Sequence, residues 1–167
     1  LTKLSSARTS NGFGATAEVW HGASQEVANQ VGDLKLYSSP GVTLEHFPTI
    51  LDKESNYFYF NVHGSDQKKE WFGEGLDRVC IPVASPENFT RPNASNVLAT
   101  EACYGARFIG HDPTESALRN SMLNKTIAFS GSSRIAYGPT DPPVGLADLI
   151  ALHFLTSTKS GSTVGEA

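Results

Sequence analysis

Two stretches carry residue types that can do covalent chemistry. Residues 96–106, NVLATEACYGA, begin as an apolar run and end in Cys103 followed by small residues, the composition of a buried strand breaking into a turn. Residues 57–65, YFYFNVHGS, are built the same way, with aromatic and β-branched residues leading to His63 and Gly64. A thiol is reactive as the thiolate, and an imidazole beside it can take its proton or stabilise the anion. The N–H groups of Gly64 and Cys103, close to such a pair, are candidates to bind a developing oxyanion, and a residue without a side chain at 64 lets backbone approach a substrate.

Strands and their connections must bring these residues together. The separation 103 − 63 = 40 residues leaves room for the crossover that two parallel strands need. A third buried segment, 126–130, also ends in polar residues beside a glycine, Gly131-Ser132-Ser133. In an open α/β sheet ligands bind in the crevice beyond the carboxyl ends of the strands, and right-handed crossovers would place all three exits on that edge.

The rest of the chain supplies alternating elements. Val19, Ala23, Val27 and Val31 recur every four residues, which predicts an amphipathic helix over 15–31 closed by Gly32-Asp33. A strand is expected at 34–37, a short helix capped by Thr43 and reaching 51, and a polar loop at 65–74 holding Trp71 and Phe72 as cleft wall or core. A second loop spans 84–95. Asp112-Pro113-Thr114 is expected to open a helix over 115–123, and 144–155 reads as a helix with Leu146, Leu149, Ile150 and Phe154 on one side. Alternation of strands and helices argues for an α/β fold with a mostly parallel sheet and helices on both faces.

Composition narrows the classes. A chain of 167 residues fits a single domain spanning 1–167 and buries roughly 70% of its unfolded surface. Its net charge of −4, with Lys68-Lys69 as the densest basic spot, gives no electrostatic footprint for nucleic acid. There is no apolar run long enough for a membrane span. Cys80 and Cys103 are read as thiols, Cys80 packed inertly within the apolar run 79–83. The five histidines lack metal-ligand spacing, so no catalytic metal and no required cofactor are expected. Asp66, Glu70, Glu74 and Asp77 could supply oxygens to a structural calcium, although a solvated acidic loop is the commoner arrangement. His111-Asp112 is read as helix entry.

Val62-His63-Gly64 and Glu101-Ala102-Cys103, in that order and on strand ends, resemble the signature of the cysteine peptidases that share the caspase, legumain, clostripain and gingipain fold. The segment 129–138, FSGSSRIAYG, with a long helix after it, is most similar to the gingipain branch, and the resemblance covers about residues 34–167. It implies a caspase-like three-layer sandwich, with His63 as the catalytic acid or base, Cys103 as nucleophile, and the amides of Gly64 and Cys103 in the oxyanion hole. The family's central first strand is not evident in residues 1–14 and a last strand would have to follow 167. The piece is therefore expected to be incomplete at both ends, with further segments of the same precursor as partners. A secreted or cell-surface bacterial setting is implied by the resemblance alone.

Glu101 lies two positions before Cys103, hence on the same side of its strand near the mouth of the site. In the resembling family an acidic residue there lines the pocket for the residue preceding the cleaved bond, which points to cleavage after basic residues, with Ser132 and Ser133 adding polar contacts. Arg134, the last of the pocket residues expected here, could instead neutralise Glu101 as an internal ion pair. The rival reading is a catalytically silent caspase-like interaction or regulatory module within a larger protein.

Overall fold

The computed structural model describes residues 11–46, 55–89 and 96–167. In chain order its strands are β1 Gly12–Ala17, β2 Leu34–Ser39, β3 Tyr57–Asn61, β4 Trp71–Glu74, β5 Cys80–Ala84, β6 Asn96–Thr100 and β7 Thr126–Ser130. The helices are α1 His21–Val31, α2 Ala117–Leu123 and α3 Ala147–Lys159. Five strands form a parallel sheet in the order β2-β1-β3-β6-β7, while β4 and β5 make a separate antiparallel hairpin.

Strand periodicity divides the core into two faces. Phe58 and Phe60 of β3, with Phe13 of β1 and Leu98 of β6, pack against Trp71 and Val83 of the hairpin and Ala117 of α2. Tyr57, Tyr59, Val97 and Ala99 point the other way, onto Val27 and Val31 of α1 and Leu152, Phe154 and Leu155 of α3. The result is an α/β arrangement of three layers, α1 with α3, the sheet, and the hairpin with α2. No helix among the described residues is long and apolar enough to cross a membrane.

Several expectations change. A first strand exists: β1 lies inside the sheet between β2 and β3 and takes residues 15–17 from the expected helix. Ala17 is extended (φ −65°, ψ 142°), a 3-10 turn over Glu18–Trp20 follows, and α1 begins at His21. The four-residue apolar spacing runs on through the turn, so periodicity alone does not reveal where the backbone becomes helical. The expected loop at 65–74 ends in β4, whose Trp71 is buried against Phe60 and Phe89 at ring-centroid distances of 5.2 and 5.3 Å. Cys80, expected inside, is exposed at the start of β5, because only Val83 and Ala84 of that strand reach the core.

The helix expected from 115 starts at Ala117, capped by Ser116, whose hydroxyl accepts the Arg119 N–H; Asp112 instead closes a turn onto Thr114. The last helix starts at Ala147 and runs to Lys159, and of the side expected to be apolar Leu146, Leu149 and Ile150 are exposed while Phe154 is buried. Beyond Thr43 and His46, whose side chains meet at 3.1 Å, the expected short helix lies outside the described residues, as do residues 90–95 of the second loop.

Candidate active site

The sheet order reverses direction between β1 and β3, since the chain runs outward to β2 and then returns to the other side of β1. The carboxyl ends of strands at such a switch point splay apart and leave a crevice. Trp20 follows β1 and His63 follows β3, and their rings meet there with centroids 4.3 Å apart.

Register brings in the thiol. Phe60 of β3 is paired with Thr100 of β6, and His63 and Cys103 each lie three positions further on (63 − 60 = 103 − 100 = 3). Both residues line one small cavity together with Trp20, Glu101 and residues 136–139. Gly64 packs directly on Cys103: a Cβ added at 64 would lie 1.8 Å from the Cys103 carbonyl oxygen, so no other residue fits. Among the described residues neither the Gly64 nor the Cys103 amide donates a hydrogen bond to another group.

The hairpin fixes the imidazole. An isolated antiparallel bridge joins His63 to Phe72, with both backbone bonds made at 2.7 and 2.8 Å, and this carries Glu74 alongside the ring. His63 Nε2 lies 2.7 Å from Glu74 Oε2, and Arg78 donates to Oε1 of the same carboxylate at 3.1 Å. Burial on its own pushes the Glu74 carboxyl up, but the hydrogen bonds and charges of His63 and Arg78 outweigh it and hold the group below its ordinary range. An ionised carboxylate only accepts, so Nε2 carries a hydrogen and Nδ1 is left to exchange protons. Cys103 Sγ, half-buried, receives the Ala136 N–H at 3.4 Å and donates to the Ala136 carbonyl at 3.5 Å, contacts that fix the sulfur against the loop after β7.

Glu101 is only 7% exposed and accepts the Tyr59 hydroxyl at 2.6 Å. It borders both the small cavity and a larger one of about 430 Å³ whose walls include Ser132, Ile135, Tyr137, Leu146 and Ile150. Ser133 and Arg134 are exposed and do not line that cavity, and among the described residues no ion pair joins Arg134 to Glu101. Arg134 acts through its backbone, whose carbonyl accepts the Tyr104 N–H at 2.7 Å and so ties the Cys103 turn to the loop after β7.

Sequence reasoning did not single out Glu74 or Trp20 as neighbours of His63. Glu74 entered only as one of four acidic residues for calcium. Those four are not gathered into a metal site, and no group of three or more His, Cys, Asp or Glu among the described residues is placed to hold a metal ion. Comparison with protein-family models, with curated proteins and with solved structures finds no match to this chain.

Proposed function

We propose that this chain is a cysteine endopeptidase of caspase-like fold, similar to the gingipain branch, that cleaves peptide bonds after basic residues. The observation that carries the proposal is the register-matched exit of His63 and Cys103 from adjacent parallel strands into one cavity, with a carboxylate held on the far nitrogen of the imidazole.

In this reading Cys103 Sγ attacks the peptide carbonyl, and the unengaged amides of Gly64 and Cys103 receive the oxyanion. His63 delivers a proton from Nδ1 to the leaving amine, and water then releases the acyl group. Glu74 keeps the ring in one tautomer and one orientation, as the third member of such a set does. The cavity beside Glu101 takes the residue before the cleaved bond: its apolar walls suit an aliphatic stem and the carboxyl among them suits a cationic head.

The exposed rim of Ile135, Tyr137, Leu146 and Ile150 supports a second reading, a silent module that binds a partner through this apolar surface. Fluorogenic peptides varied at the residue before the cleaved bond separate the two. The peptidase reading expects hydrolysis after Arg or Lys that disappears in Cys103→Ala. Hydrolysis surviving in that variant, or confined to acidic residues, contradicts it.

A further inference from the structure

A second acid stands behind Glu101. Asp148, in the first turn of α3, is 0% exposed; its Oδ2 accepts the Gly145 N–H at 3.3 Å, while its Oδ1 is buried with no hydrogen-bond partner. Oδ1 and Glu101 Oε2 converge on Gly138, where a Cβ would lie 3.1 Å from the first and 3.4 Å from the second. The groups facing this pair are Tyr59 from β3, bonded to Glu101 Oε1, and His63 and Cys103 across the small cavity. Among the described residues no Lys or Arg side chain reaches either carboxyl.

Two carboxylates sharing a buried site cannot both ionise without a cation or a proton between them. A buried acceptor left without a donor is costly, and a proton on Glu101 would supply Asp148 Oδ1 with one. Burial and the neighbouring Asp148 carboxyl both push Glu101 well above the usual carboxylate range.

We infer that Glu101 and Asp148 share one proton in the free protein, and that a guanidinium entering the 430 Å³ cavity displaces it, so that recognition of arginine is coupled to proton release. The proton goes to solvent, and the guanidinium takes its place as donor to Glu101. Asp148 is thus a positioning residue that acts through Glu101 and sets the charge of the pocket before a ligand arrives. The inference takes from the proposed function only the cavity by which the ligand enters.

The test uses the Cys103→Ala protein, in which no turnover can occur, with acetyl-arginine amide as probe and its neutral counterpart acetyl-citrulline amide as control. Calorimetry in buffers of different ionisation enthalpy reads the protons released. The arginine probe is expected to bind at least tenfold more tightly than the citrulline one and to release close to one proton at neutral pH. Asp148→Asn, whose amide oxygen can still accept from Gly145, is expected to retain binding with proton release largely lost; Glu101→Gln is expected to lose both the preference and the release. Infrared spectra offer a readout independent of either variant's folding, since a protonated carboxyl band should be present in the free protein and vanish on binding of the arginine probe. Equal binding of the two probes, binding without proton release, or a carboxyl band that persists would overturn the inference. Each of those results leaves the reaction at Cys103 standing, although equal binding of the two probes would remove its basic preference, and a coupled arginine site beside an unreactive Cys103 would do the reverse.

Discussion

Glu74, bonded to the His63 ring, and Glu101, in the wall of the cavity that ring opens into, are almost equally hidden, 8% and 7% exposed, yet their carboxyls are driven in opposite directions. Glu74, on the hairpin, meets His63 and Arg78 and is held ionised. Glu101, on the sheet, is driven toward its protonated form by burial and by the neighbouring Asp148, against the opposing pull of the Tyr59 hydroxyl it accepts. Deep enclosure and a second acid act together on Glu101, while an imidazole and a guanidinium outweigh burial at Glu74, so surroundings and partners jointly decide which carboxylate persists. One region of the cleft supplies a fixed negative charge to orient an imidazole, and the other a conditional charge that a ligand can draw out.

Substitutions can break this contrast. Glu74→Gln should give the largest effect, a fall of about 100-fold in kcat with little change in KM, because an imidazole that loses its anchor spends most of its time misplaced. Steady-state kinetics on an arginine peptide check it, and an unchanged kcat would detach Glu74 from the reaction. Arg78→Ala removes an exposed side chain whose ion pair among the described residues is with Glu74, and should cost far less, about 10-fold or under, because Nε2 keeps its own bond to the carboxylate. A loss as large as that of Glu74→Gln would place Arg78, not His63, at the centre of the hairpin's role.

Stability against pH sharpens the same contrast. Glu74 has a lowered folded-state pKa, so its contribution is present above its unfolded value of about 4.3 and is lost as pH falls through the folded value. For Glu101 the folded value is raised, so its contribution is full below about 4.3 and declines as pH rises through the folded value. Thermal melts of the two Gln variants should therefore diverge at neutral pH. Glu74→Gln is expected to melt several degrees below the parent, and Glu101→Gln at or slightly above it; a Glu101→Gln variant clearly less stable at pH 8 than at pH 5, relative to the parent, would contradict the protonated state.

The parts of the site legible in the sequence were those fixed by strand exits. His63-Gly64, Cys103 and Ser132 follow runs whose apolar or β-branched residues announce a buried strand, and parallel pairing then determines the edge on which they emerge. β1 was not legible, since its sequence GFGATA holds two glycines, two alanines and a single β-branched residue, and only its neighbours on both sides make it a strand. Glu74 was equally hidden: its place depends on a bridge between His63 and Phe72 that no local pattern encodes. Asp148 lay on a helix whose apolar residues drew attention to the outer side, where Leu146 and Ile150 are in fact exposed.

The central claim is that His63 activates Cys103, and alkylation rates test it without any knowledge of the substrate. Cys80 is exposed and Cys103 half-buried, so accessibility alone would make Cys80 the faster thiol. Mass spectrometry after timed exposure to iodoacetamide at pH 6.5, where an ordinary thiol is only about 1% thiolate, gives both rates in one sample. Labelling of Cys103 at least tenfold faster than Cys80, reversed in His63→Ala, is the result the account predicts. Faster labelling of Cys80 in the parent protein, unchanged in His63→Ala, would contradict it.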